Sequence, residues 1–156
     1  MKKFTLFFIF FYFIFNIEGN AKTTRLKGIN EVDLLIEKLD ESAAEKCSIT
    51  EKKIETTVKY VLSNSKIKIS ENTRDPLLYI RVMLINDGTA CSVYSRITVE
   101  HFIDAPFNSG NRGAFIYYKN ERMSSGGINS GIGKHAIDKI EEMMKEFVIR
   151  HHEDNL

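Results

Sequence analysis

The chain has 156 residues, with 22 Lys and Arg against 21 Asp and Glu, two cysteines and no tryptophan. A formal charge of +1 without a clustered basic excess argues against nucleic acid as a partner. Two thiols without companion ligands at a recognisable spacing argue against a metal site, and no cofactor is expected.

Lys2 and Lys3 precede an almost unbroken apolar run over residues 4–15, and Gly19-Asn20-Ala21 places small residues at −3 and −1 of a cleavage site. Residues 1–21 therefore read as a secretory signal peptide cut near Ala21. The run is short of the roughly 20 apolar residues of a transmembrane helix. No stable membrane insertion is expected after cleavage, and the periplasm or the exterior is the expected compartment. Lys2, Lys3 and Glu18 leave with the leader, so 20 basic and 20 acidic side chains remain. Residues 22–156 suit one α+β domain with one core. Cys47 and Cys91 are expected to form a disulfide in an oxidising compartment. Closing that loop stabilises by roughly 4 kcal/mol in the chain-entropy model.

Residues 22–27 read as a loose polar lead. Over 29–39, Val32, Leu34 and Ile36 alternate with Asp33 and Glu37, which predicts a strand. Residues 40–46 read as a loop or short helical turn. Ser48-Ile49-Thr50-Glu51 has the spacing of a capping box. It precedes Ile54, Val58, Val61 and Leu62, one stripe of an amphipathic helix ending at Asn64 and Ser65. Ile67 and Ile69 alternate with Lys66 and Lys68 in a short strand with a solvated basic edge. A polar turn over 71–76 follows.

Residues 76–103 carry the strongest local signal, two apolar runs around Asn86-Asp87-Gly88. A two-residue Asp87-Gly88 turn predicts a hairpin, because glycine supplies the positive φ. In that register Leu84 faces Cys91, Val82 faces Val93, Ile80 faces Ser95 and Leu78 faces Ile97. The opposite face then pairs Met83 with Ser92, Arg81 with Tyr94 and Tyr79 with Arg96. A slip by one residue would mix the faces. The Cys91 face is expected to take the helices. Tyr79, Arg81, Tyr94 and Arg96 are the candidate binding residues, on a face that is otherwise plain solvated sheet.

Residues 104–112 form a turn cluster around Pro106 and Gly110, and 113–120 a further strand. The segment 124–134 resembles a phosphate loop only superficially. Ile128 stands where that pattern needs Gly, and His135 where it needs Ser or Thr. It reads instead as a link or final strand into a helix over 134–152, whose apolar stripe includes Ile140, Met143, Met144 and Phe147. The end at His151-His152-Glu153-Asp154 reads as solvated. His101 or His135 with a serine in 124–130 would make a hydrolase on paper, but no motif spacing supports it.

The layout, marked by Leu78-Tyr79-Ile80-Arg81-Val82, Ser124-Ser125-Gly126 and the helix to His152, resembles small uncharacterised secreted or periplasmic bacterial α+β proteins over most of 29–152. That resemblance implies no activity and no site residues. The fold expected is a two-layer α+β sandwich, with a mostly antiparallel sheet of four to five strands and two helices on one face. The function expected is non-enzymatic binding of an envelope protein or peptide through the outer sheet face or an edge. The alternative is a periplasmic hydrolase using a His/Ser site.

Overall fold

The computed structural model describes residues 25–70, 76–104 and 112–156. The leader over 1–21 and most of the two turns expected at 71–76 and 104–112 lie outside them. The described chain runs β1 (Glu31–Ile36), α1 (Glu41–Cys47), α2 (Glu51–Ser63), β2 (Lys68–Ser70), β3 (Leu77–Asn86), β4 (Ala90–Asp104), β5 (Arg112–Gly127) and α3 (Ile132–Asp154). The strands form one sheet in the order β2-β1-β3-β4-β5. This is the expected α+β architecture of one sheet and one helical layer.

The sheet is antiparallel through β3, β4 and β5, but β1 runs parallel to both β2 and β3. Parallel neighbours usually need a return of a dozen residues or more. Here β2 and β3 need none. Ser70 closes β2 opposite Asp33, and Leu77 opens β3 opposite the same Asp33 on its other side. β1 thus bridges two strands that follow one another in chain direction.

Helix starts follow local chemistry. The Asp40 side chain accepts from Ala43 N at 2.8 Å and begins α1, so of the loop and the short helical turn expected over 40–46 the helical one forms, over Glu41–Cys47. The cap of α2 is Thr50, which accepts from Lys53 N at 3.2 Å, and not Ser48. Ser48 instead ends α1 in the left-handed region at φ 56°. One residue cannot close one helix that way and also open the next. Glu51 reaches back to Leu39 N at 2.8 Å.

The turn of the β3–β4 hairpin also departs from expectation. Asn86 faces Cys91, which makes Gly88-Thr89 the central pair, with Gly88 at φ 93°. Every pairing moves by two residues: Leu84 faces Val93, Arg81 faces Arg96 and Met83 faces Tyr94. A shift of two preserves the faces, since side chains alternate with period two. Leu78, Ile80, Val82, Cys91, Val93 and Ile97 are accordingly all buried. The cause is the Asp87 carboxylate, which accepts from Thr89 N (2.9 Å), Thr89 Oγ1 (2.9 Å) and Ala90 N (2.7 Å).

Those bonds, the Thr89 amide foremost, hold the Asp87 carboxyl below the ordinary aspartate range. A folded-state pKa below the unfolded one stabilises fully above the unfolded value, near ~4, and the contribution is lost as pH falls through the lowered value. Amide-exchange protection at Thr89 and Ala90 should therefore drop in acid while that at Val93 holds, and Asp87→Ala should lower it already at neutral pH. Protection at Thr89 and Ala90 that ignores pH would rule this out.

All three helices lie against one face. The Cys47–Cys91 disulfide joins the C-terminal end of α1 to the inner face of β4. Ile54, Val58, Val61 and Leu62 of α2 are buried, as are Ile140, Met143, Met144 and Phe147 of α3. Phe147 meets Tyr118 with ring centroids 5.3 Å apart. Beside it, Arg122 and Asn120 of β5 grip Glu146 of α3, Arg122 Nη2 donating at 3.0 Å. β5 is one strand from Arg112 to Gly127, so the Ser-Ser-Gly-Gly segment is its last part and not a separate link or strand. A bulge beside Val99 and Glu100 leaves Tyr117 unpaired and bends the strand.

The C-terminal end of α3 is not solvated as expected. His151 is buried, with Nε2 2.5 Å from Ile29 O, and Asp154 Oδ2 accepts from Leu26 N at 3.1 Å. Asn155 accepts from Gly28 N at 2.8 Å and donates to Leu26 O at 3.1 Å. Leu26 is itself core, so the residues just before β1 are clamped rather than loose.

Candidate functional site on the open sheet face

Among the described residues, no helix lies on the second face of the sheet. Period-two alternation puts Tyr79, Arg81, Met83 and Ile85 of β3 there, with Ser92, Tyr94, Arg96 and Thr98 of β4 and Lys119, Glu121 and Met123 of β5. The four sequence candidates, Tyr79, Arg81, Tyr94 and Arg96, thus share one face. They are not paired Arg to Tyr as expected. Cross-strand rows read Tyr79–Thr98–Lys119, Arg81–Arg96–Glu121 and Met83–Tyr94–Met123.

Three acids organise the polar rows, Glu100 by accepting from Thr98 Oγ1 at 2.6 Å. Glu37, just beyond β1, accepts from Tyr79 Oη at 2.7 Å and lies 2.9 Å from Arg81 Nε, an ion contact without hydrogen-bond alignment. Glu121 accepts from Tyr94 Oη and lies 2.9 Å from Lys119 Nζ. These bonds tune the phenols. Partial burial, then the bond to Glu37, raises the pKa of Tyr79, and the bond to Glu121 raises that of Tyr94. The same Tyr94 bond, with Lys119, holds Glu121 below the ordinary glutamate range. Both phenols therefore stay protonated as donors at neutral pH.

Sequence reasoning missed the acids and the apolar row. Glu37 lies outside the hairpin, and its reach to Arg81 depends on the parallel β1–β3 pairing. Met83, Ile85 and Met123 are exposed by 45%, 65% and 71%, so the hairpin end of this face is apolar and wet. Their alternate positions in β3 and β5 were the available signal.

The paper hydrolase does not assemble from His101 and Ser124. His101 pairs with Phe115 and Ser124 with Val93, eight residues along β4, about 26 Å at ~3.3 Å per residue. His135 is exposed in the first turn of α3, and the Ser130 hydroxyl donates to Gly127 O at 2.6 Å. Among the described residues no group of three or more His, Cys, Asp or Glu is placed to hold a metal ion. No described helix is long and apolar enough to cross a membrane.

No protein-family model matches the chain, and no curated protein matches it. Among solved structures it is similar to a minor lipoprotein from Acinetobacter baumannii, with 14% identity and a TM-score of 0.34 over 80% of this chain and 91% of that one. It is similar in the same degree to the rare lipoprotein B from Shewanella oneidensis, with 14% identity and a TM-score of 0.33 over 80% of this chain and 92% of that one. Likenesses of this size carry no information about the function of the chain.

Proposed function

We propose that the chain is an exported envelope protein that works by binding a partner on the open sheet face, without catalysis. One observation carries this reading. The helical layer covers one face of the sheet, and the other presents an ordered Arg, Tyr and Glu grid beside exposed Met83, Ile85 and Met123. Contiguous exposed apolar side chains rimmed by polar ones are a usual mark of an interaction surface. The lysine-led apolar leader over 1–21 and the disulfide support an oxidising compartment outside the cytoplasm.

The face is a better candidate than the free edge of β5. Lys119, Glu121 and Arg122 stand in the middle of that strand, and charges there disfavour strand addition.

A photo-reactive residue at Met83 or Met123, introduced into the exported protein in intact cells, tests the reading. Discrete adducts are expected from both positions and none from Ile149, an equally exposed apolar site on α3. No adduct from the sheet face, or the same adducts from Ile149, would remove the reading.

A further inference from the structure

β4 and β5 outrun the rest of the sheet. The last pair of β3 is Leu77 with Glu100. Beyond it, among the described residues, β4 pairs with β5 alone, from His101 with Phe115 to Asp104 with Arg112. This arm is poor in charge. Residues 101–104 and 112–118 carry only Asp104 and Arg112, which stand opposite each other in register. It is also apolar on both faces. Phe102 and Ile116 continue the open face past Glu100, while Phe115 stands on the other face, its ring centroid 6.2 Å from that of Tyr117. Phe102, Phe115 and Ile116 are all exposed. A flat protein surface would cover one face of such an arm and leave the other wet, whereas a medium that surrounds the arm covers both.

The chain enters the fold at the same end. Tyr117 borders one hollow with Arg25, Lys27, Ile29 and Pro76, so the apolar run over 4–15 leads into the domain beside the arm. Lys22, Arg25 and Lys27 are cations with no acid among residues 19–30, and Arg25 and Lys27 are exposed. Glu31 also borders the hollow, and Asp33 and Glu100 stand on the open sheet face nearby, so the local charge nearly balances. Apolar contact therefore has to supply most of any attachment. We propose that the arm docks on a lipid bilayer surface, with Phe102 and Ile116 on one side and Phe115 on the other sunk among the headgroups and upper acyl chains. Arg25 and Lys27 then lie at the level of the lipid phosphates. The docking is shallow. β5 is the edge strand, and its outer backbone groups need water, which the hydrocarbon core does not offer.

The chain has no tryptophan, so a single introduced one reports a single position. With vesicles of phosphatidylethanolamine and phosphatidylglycerol, the emission of Phe102→Trp and of Phe115→Trp should each move to shorter wavelength. Both should be quenched by lipids brominated near the headgroup end of the acyl chain. Ile149→Trp, at an exposed position on α3, should do neither. In co-sedimentation the Phe102→Ser, Phe115→Ser double variant should bind the vesicles about tenfold more weakly, or worse, than the unaltered chain. Both side chains are exposed, so its urea midpoint should stay in place and exclude misfolding as the cause. A shift at only one of the two positions, no shift at either, or an equal shift at Ile149→Trp would overturn the proposal. So would undiminished co-sedimentation of the double variant, or a shift that grows with protein concentration without vesicles, which would make the occupant a second copy. The arm is at the far end of the sheet from Met83 and Met123, so loss of either binding leaves the other standing.

Discussion

The Cys47→Ala, Cys91→Ala double variant is expected to lose about 4 kcal/mol of stability. The two cysteines are 44 residues apart in sequence. For a loop of that length the chain-entropy model gives a stabilisation of about 4 kcal/mol through the unfolded state. The native state adds a reason for the bond to matter. Both sulfurs are fully buried, and the bond fixes the C-terminal end of α1 on the inner face of β4, beside the Gly126 row of β5. In urea, at a slope near ~1.5 kcal/mol per molar, the midpoint should fall by about 2–3 M. A shift worth less than about 1 kcal/mol would mean that the helix is held by packing alone.

Gly133→Ala should cost about 3 kcal/mol, although alanine is the better helix former by about 1 kcal/mol. A β-carbon at 133 would lie 2.3 Å from Cys47 O, 2.5 Å from Ser48 O and 2.7 Å from Ser48 C. These are backbone atoms at the end of α1, and they cannot turn away as a side chain can. Either α3 lifts off α1 or α1 shifts against the disulfide that holds it. Gly131→Ala is the matched control. It has a positive φ of 76° but no atom within 4 Å of the added carbon, so only the backbone cost of roughly 1 kcal/mol applies. Because Gly133 abuts Cys47, its effect should not add to that of the disulfide variant. Denaturant midpoints of the single and combined variants measure this, and simple additivity would contradict the contact.

The parts of the fold that were legible in the sequence rest on strong periodicity. Ile54, Val58, Val61 and Leu62 gave the buried stripe of α2, and alternation in β3 and β4 gave the two sheet faces. The disulfide followed from cysteine count and compartment, and Cys91 does lie on the helix-covered face. What was not legible depends on contacts between distant residues or on side-chain bonds within turns. The Asp87 carboxylate moved the hairpin register by two without disturbing its faces. Ser-Ser-Gly-Gly has poor strand propensity, yet pairing with the long β4 keeps it extended, and the space beside Gly126 is taken by Ser130. The parallel setting of β1 follows from a short β2 that stops level with Asp33. The clamp from His151, Asp154 and Asn155 to residues 26–29 spans almost the whole chain, and a polar helix end gives no local sign of it.

The candidate site was legible as four residues and not as a site. Tyr79, Arg81, Tyr94 and Arg96 were placed on one face correctly, because parity survives a register shift of two. Their partners were not legible. The Arg81–Arg96 opposition and the bond from Tyr79 to Glu37 follow from register and from β1.

The chain carries its own probe of that face. Met83 and Met123 are exposed on the open sheet, whereas Met143 and Met144 are buried under the helices. Mild peroxide treatment followed by mass spectrometry should oxidise Met83 and Met123 rapidly in the purified protein and spare Met143 and Met144. In intact cells the account predicts strong protection of Met83 and Met123, because a partner covers the face. Oxidation of both at the same rate in cells as in the purified protein would contradict it.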